Sequence, residues 1–216
     1  MHPLVTIVTR TNNRPNGFKR LVNSIKKQSY PNIRHFVILD DNDSIDYVMP
    51  WRLDGDDVEL YLLDKDEILS RDFGPNPNTG PKFPYNLYIN EVYPDITEGY
   101  FYGIDDDDYL LSDTIIEEMV EAVDEDTLLL GRFQLANGKV IPADKHFGKQ
   151  PKIGCIGGSC MFFHSKWLDY AKFDGWKCSD FRVIDRLYKT VPETVFFNKV
   201  IMKCGNNGGQ GKRGDV

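Results

Sequence analysis

Short apolar runs alternate with segments of helical period along the first half of this chain. Leu4 to Thr9 is a near-continuous run of strand length, followed by the polar turn Thr11-Asn12-Asn13-Arg14-Pro15-Asn16-Gly17. Beyond it Phe18, Leu21, Val22 and Ile25 recur at i, i+3, i+4 and i+7, which predicts a helix with one buried face. Ile33 to Leu39 reads as a strand ending on Asp40-Asp41, and Val58 to Leu63 as another ending on Asp64. Strand, helix, strand in this order predicts parallel pairing, with the helix as the crossover. Residues 70–84, rich in Pro, Gly and Asn, predict a loop, and a short helix is expected near Tyr85 to Tyr93. The strand Tyr100 to Ile104 then runs straight into Asp105-Asp106-Asp107-Asp108. Ser112 or Asp113 is placed to cap a helix whose apolar face is Ile115, Ile116, Met119, Val120 and Val123.

The second half has a different grammar. Leu128 to Leu135 and Lys139 to Ile141 flank Asn137-Gly138, a two-strand hairpin signal. A Gly-rich entry, Gly154 to Gly158, leads to a strand over Ser159 to Phe163. Helices are expected over Lys166 to Phe173 and Asp180 to Lys189, and a strand over Thr194 to Met202. The pattern predicts one α/β domain over residues 1–204, a nucleotide-type front half (1–110) and a back half built around it (111–204). Residues 205–216 read as a flexible tail or linker, in which Lys212 and Arg213 are candidates to fold over a diphosphate. No apolar run approaches the roughly 18 residues of a membrane span, and MHPLVTIVTR has no basic leader. No transmembrane segment and a cytoplasmic location are expected.

Charge sharpens this picture. The chain of 216 residues carries 33 acidic and 26 basic residues, a net −7, which argues against nucleic acid as a partner. Eleven of those acids lie between Phe101 and Asp126, where there is no Lys or Arg. Four cysteines show no CxxC pair and no His at zinc spacing, so reduced thiols are expected. In an open parallel sheet, ligands bind beyond the carboxyl ends of the strands. Asp40, Asp41, Asp64 and Asp105 to Asp108 all fall at such ends. Adjacent carboxylates raise one another's pKa, and a hard divalent cation, Mn2+ or Mg2+, relieves that repulsion. The ordinary alternative is a solvated acidic loop, and the helical acids from Glu117 to Asp126 are read that way.

The segment VTIVTRTNNRPNGFKRLVNSIKKQSYPNIRHFVILDDNDSID resembles the opening of inverting glycosyltransferases of GT-A fold, family 2 in the usual sequence classification. Thr11, Asn13, Arg14, Pro15, Ser24, Gln28, Tyr30, Asp40 and Asp41 occupy the places of that family's turn, helix end and Asp-Asp strand end. From Asn78, NTGPKFPYNLYINEVYPDITEGYFYGIDDDDYLLSD is similar to its Asn-x-Gly loop, Asn-bearing helix and the signature that contains the Asp-x-Asp (DXD) metal motif. The small size also resembles glycosyltransferase domains of large algal viruses such as the chlorella viruses, which would place the protein in a host cytoplasm.

The resemblance implies a Rossmann-like nucleotide-diphospho-sugar transferase fold, a mostly parallel central sheet flanked by helices with a small antiparallel element. It implies a UDP-sugar donor, transfer of a hexosyl or deoxyhexosyl group, and a glycan or glycoprotein acceptor. Thr11, Asn13, Arg14, Asp40 and Asp41 would line the donor nucleotide, Asp105 would meet the ribose, and Asp107 would bind the metal. Asp106 and Asp108 would be supporting residues, Asp108 near the next helix start. Asp180, after Ser179 where the family usually has an acid, would be the general base, with Asp174 and Asp185 as competitors. From the residues alone, Arg71 and Lys82 are candidates for the diphosphate and His164 for the metal. Two rival readings stay open. Val37 to Ser44 also resembles the nucleophile strand of haloacid-dehalogenase-type phosphatases, with Asp41 as nucleophile, and a non-catalytic nucleotide- or sugar-binding module of the same shape fits as well.

Overall fold

The computed structural model describes residues 2–53 and 58–205. β1 (Val5–Arg10) lies between β2 (Ile33–Leu39) and β4 (Tyr100–Gly103), parallel to both, and β3 (Val58–Leu62) runs parallel to β2 at the edge. Beyond β4 come β8 (Met161–His164), antiparallel to it, then β6 (Thr127–Gln134) and β9 (Glu193–Cys204), which pair in parallel. β5 (Asp108–Leu110) closes the far edge against β9, and β7 (Val140–Ile141) folds back on β6 through the Asn137-Gly138 turn. Because β1, β2 and β4 are parallel, Arg10, Leu39 and Gly103 end at one edge. The loops that follow them, 11–14, 40–44 and 104–107, meet there.

Both faces of the parallel part are covered, which is why its strands read as apolar runs rather than alternating ones. α1 (Pro15–Lys26) has Pro at its start and buries Gly17, Phe18, Leu21, Val22 and Ile25. Phe18 and Val22 pack with Val37, Leu39 and Val48, while Leu21 and Ile25 pack with Ile7, Tyr102 and Met119. On the other face Phe36, Ile38, Phe101 and Phe163 meet Tyr88 and Val92, and Val183 and Leu187 of α6 (Ser179–Thr190).

Several elements differ from the pattern. α2 (Ile45–Leu53) forms around an internal Pro50, held by the buried Val48, where the sequence shows no period. Asp64 is not an open strand-end acid: it caps α3 (Lys65–Ser70), accepting from the N–H groups of Asp66 and Glu67. The short helix expected near Tyr85 is a 3-10 turn (Pro84–Leu87), α4 (Tyr88–Glu91) and a second 3-10 turn (Tyr93–Asp95). Asp108 opens β5 and is not at a helix start, since α5 (Ile115–Glu121) begins after Thr114. Neither Ser112 nor Asp113 is its N-cap; the Asp113 carbonyl accepts from the Ser29 N–H. The segment after β8 is 3-10 over Ser165–Tyr170. The four cysteines are free, and no helix among the described residues is long and apolar enough to cross a membrane.

Candidate active site

The convergent strand ends form a network in which arginines answer the acids. Arg10, the last residue of β1, donates to Asp105 at 2.9 Å, to the Tyr85 carbonyl at 3.0 Å and to Asn86 Oδ1 at 3.3 Å. Arg14 donates to Asp106 Oδ1 at 2.7 Å and lies 3.4 Å from Asp107 Oδ1. Thr11 Oγ1 donates to Asp106 Oδ2 at 2.9 Å and shares a 2.7 Å bond with the Tyr47 hydroxyl. Thus one turn, 10–14, supplies donors to Asp105 and Asp106 and a cation beside Asp107.

Burial competes with those donors and wins. Asp106 is pushed up from 3.8 to about 6 by desolvation, with Arg14 pulling the other way. Burial raises Asp107 as well, reinforced by the neighbouring charge of Asp105. Asp108 lies buried against the Cys204 thiol, and burial holds both well above their usual ranges. Asp105 is the open member, with its side chain 52% exposed. The acidic loop is wedged between α1 and the end of β9. The Asp107 carbonyl accepts from Arg20 at 3.0 Å and from the Gly205 N–H at 2.8 Å. A Cβ at Gly17 would come within 2.9 Å of the Asp106 carbonyl oxygen, and one at Gly205 would collide with that of Asp107, so both approaches require glycine.

Asp40 and Asp41 are joined to the same turn. Asn12 Nδ2 donates to Asp40 at 2.8 Å and to Asp41 at 3.0 Å, and the Tyr88 hydroxyl donates to the other oxygen of Asp40 at 2.9 Å. Asp41 also accepts from the Ser44 N–H at 2.7 Å and the Ser44 hydroxyl at 2.8 Å. Ser44 Oγ in turn accepts from the N–H of Asn13, whose backbone is left-handed at φ 51°. Both oxygens of Asp41 therefore hold a turn in place, an arrangement that disfavours its use as a covalent nucleophile.

The second half reaches this edge through Asp180, in the first turn of α6. Its carboxylate accepts from the Phe181 N–H at 2.8 Å and from the backbone of Gly158. Burial raises its pKa, Asp105 raises it further and Arg10 opposes them, so the side chain shares its electrostatic surroundings with the Asp105 corner. Ser179 is a buried anchor that accepts from the Asp174 N–H at 2.7 Å. Asp174 itself is clamped by Arg182 through two bonds, 2.6 and 2.5 Å, and Asp185 pairs with Lys189 at 2.6 Å, so both competitors are committed elsewhere.

Three other candidates have partners of their own. His164 pairs with Tyr100 at the opposite end of β4, where its Nδ1 accepts the Lys166 N–H, so it is remote from the acidic loop. Arg71 is held by Glu91 at 2.6 Å and Glu67 at 2.8 Å. The Lys82 ammonium lies over the rings of Phe73, 4.9 Å from the centroid, and Trp176, 5.9 Å. Lys212 and Arg213 lie outside the described residues. Among the described residues no three Asp, Glu, His or Cys side chains gather as a closed metal cage. The exposed Asp105 and its neighbour Asp107 instead fit a hard cation that takes one or two carboxylates and completes its shell with phosphate oxygens. Arg10, Asn12, Ser44 and Tyr47 were not legible as site residues. A charge on the last position of a buried strand was the available signal for Arg10.

No protein-family model and no curated protein matches the chain in sequence. Among solved structures, residues 1–349 of S. aureus TarS in complex with UDP superpose with TM-score 0.67 at 17% identity, over 93% of this chain and 60% of that one. The mannosyltransferase PcManGT from Pyrobaculum calidifontis, in complex with GDP-Man and Mn2+, gives TM-score 0.69 at 12% identity, over 98% of this chain and 59% of that one. A putative glucose-1-phosphate thymidylyltransferase from Bacillus anthracis gives TM-score 0.55 at 12% identity, over 94% of this chain and 90% of that one. The chain thus spans about 60% of the first two structures. These neighbours are bacterial and archaeal and lend no support to a viral source. At such identities the likeness establishes the architecture, and the chain has the GT-A-like α/β fold of nucleotide-sugar transferases.

Proposed function

We propose that this chain is a metal-dependent, inverting glycosyltransferase that moves a hexosyl or deoxyhexosyl group from a UDP-sugar to a hydroxyl of a glycan or glycoconjugate. The observation that supports this reading is the setting of Asp180, a buried carboxylate from the second half that accepts from the backbone of Phe181 and Gly158 and feels the charges of Asp105 and Arg10 in the first. Neighbours solved with UDP and with GDP-Man and Mn2+ support the donor class and the cation.

In this reading Thr11, Asn13, Arg14, Asp40 and Asp41 shape the nucleoside pocket, with Asp105 toward the ribose. Asp107, with Asp105 beside it, would hold the cation, which would neutralise charge on the diphosphate of the donor and of the departing UDP. Asp180 accepts the proton of the acceptor hydroxyl as its oxygen bonds the anomeric carbon. The bond to the diphosphate oxygen breaks on the opposite face, its electron pair leaves with UDP, and the configuration inverts. A raised pKa suits that role, because a base closer in pKa to the operating pH transfers protons more effectively.

The test uses UDP with Mn2+ and a screen of UDP-sugars. UDP with Mn2+ is expected to raise the melting temperature of wild type and of Asp180→Asn alike, while the variant loses transfer by about 10²-fold or more. Undiminished transfer in the variant removes Asp180 from the role, and a thermal shift indifferent to metal removes the cation.

A further inference from the structure

The catalytic edge is acidic, and the loop that leaves β7 has the opposite sign. Residues 143–152 hold Lys145, His146, Lys149 and Lys152 against one acid, Asp144. Asp144 is already neutralised by Arg132 at 2.5 Å. The three lysines are exposed, and among the described residues no carboxylate pairs with them; Lys149 Nζ bonds only the Lys145 carbonyl, at 3.0 Å.

This loop is anchored and leads to the base. Arg132 donates to the Pro142 carbonyl and to Asn198, each at 3.0 Å, and its guanidinium lies 5.1 Å from the Phe147 ring centroid. Phe147 packs on Phe196 at 5.9 Å. A turn closed by the Cys155 N–H on the Lys152 carbonyl, 3.0 Å, returns the chain to Gly157 and Gly158. Those two glycines flank Asp180: a Cβ at Gly157 would lie 3.8 Å from Asp180 Oδ2 and one at Gly158 3.5 Å from its Cβ. The cavity under the loop, about 10 Å³ and bordered by Lys149 and Lys152, holds no more than a water, so a saccharide meets only the exposed surface of the loop, on which all three lysines are open to solvent.

Resting on the transferase reading above, we infer that the acceptor is an anionic saccharide, bearing phosphate or carboxylate groups away from the attacking hydroxyl, and that Lys145, Lys149 and Lys152 hold them. The charge pattern gives the reason. An anionic acceptor is repelled by the Asp105 to Asp107 edge and attracted by this loop, so the two fields together orient it with its hydroxyl toward Asp180. A neutral glycan gains nothing from three unpaired lysines.

The experiment measures fluorescence anisotropy of three fluorescein-labelled oligosaccharides of equal length, phosphorylated, uronate-containing and neutral. Wild type is compared with the Lys145→Ser, Lys149→Ser, Lys152→Ser triple variant. Wild type is expected to bind one or both anionic probes about 10-fold more tightly than the neutral one at low salt. The preference should shrink as salt rises and fall to about 2-fold or less in the triple variant. The two anionic arms identify which group is read. Failure to discriminate among the probes, or an equal preference in the triple variant, overturns the inference. The UDP and Mn2+ thermal shift is read on the same samples and should be equal in both proteins; its absence from wild type counts against the donor reading instead.

Discussion

Two acidic stretches follow one another in this chain, and the structure gives them opposite physics. In the loop from Asp105 to Asp108, burial pushes Asp106, Asp107 and Asp108 upward, and Arg14 does not reverse this for Asp106 or Asp107. From Glu117 to Asp126 the acids lie on the outer side of α5 and in the turn after it. Bonds from Lys199 and Thr114 hold Glu118 below its ordinary value, and bonds from Thr127 and the Asp126 N–H do the same for Asp124. Glu117 accepts from Ser29 at 2.8 Å, and Asp126 pairs with Lys166 at 3.0 Å. A charge count gives both stretches the same character. Solvent separates them: one sits past the end of a buried strand, where desolvation decides, and the other faces water, where local hydrogen bonds decide.

The largest expected consequence is at Arg14. Its side chain is 14% exposed and that of Asp106 4%, so Arg14→Ala leaves a buried carboxylate without its cation. A loss of about 3–5 kcal/mol is expected, read by urea denaturation near pH 7, with part of it recovered by adding Asp106→Asn. A loss below about 1 kcal/mol would put Asp106 in the class of the surface acids and erase the comparison.

Titration offers a sharper version, because the two stretches should respond to pH with opposite sign. Asp106 titrates at about 6 in the folded protein against 3.8 ordinarily. The folded state therefore binds its proton more tightly, and the stabilisation from that proton is full below 3.8 and lost as pH rises through 6. Glu118 is shifted down from 4.5, so its contribution is present above that value and lost as pH falls through its lowered pKa. Stability of wild type relative to Asp106→Asn should fall from pH 4 to 6, by at most about 1.4 kcal/mol per pH unit. Relative to Glu118→Gln it should rise as pH climbs toward 4.5 and level off above it. Curves of the same sign would show that burial does not set the difference.

The same distinction explains what could be read from sequence. Apolar runs located β1, β2 and β4 within a residue, and with them the strand ends, because strands covered on both faces leave a continuous hydrophobic trace. The acidic edge was therefore visible. Its wiring was not: Arg10, Tyr47 and Tyr88 reach it from separate segments, and only the parallel register brings them together. β5 was hidden because three residues, Asp108 to Leu110, leave no period, and its pairing with β9 is set far along the chain. Asp64 looked like its strand-end counterparts, yet its side chain serves the next helix.

Asp174 falls between the two extremes, partly buried and paired. Arg182 grips it with two bonds and also donates to Thr79 Oγ1 at 2.9 Å and to the carbonyls of Lys177, at 3.0 Å, and Trp176, at 3.2 Å. Arg182 stands two residues beyond Asp180 on the same helix and ties that helix to Thr79 and to residues 174–177, which under the transferase reading makes it a positioning residue for Asp180. Arg182→Ala is expected to lower kcat for transfer by about 10- to 100-fold, with the UDP and Mn2+ thermal shift retained. Lys at this position should not rescue it, since an ammonium cannot reproduce the two-pronged contact. A loss of donor binding equal to the loss of kcat would mean that Arg182 acts on the whole edge rather than on Asp180.

The smallest effect is expected at Lys199, and its smallness is the point. Its ammonium meets Glu118 at 2.5 Å, a shorter contact than the one between Arg14 and Asp106, yet the lysine side chain is 56% exposed. Distance alone would rank the Lys199 pair above the Arg14 pair. Solvation ranks it far below, because water screens the attraction and ordering a long side chain offsets most of what remains. Lys199→Ala should cost less than about 1 kcal/mol and nothing measurable at about 1 M salt, whereas the Arg14→Ala loss should survive that salt. If the two variants prove equally costly, contact distance rather than desolvation separates the acids of this protein, and the case for a specialised edge at Asp105 to Asp107 falls with it.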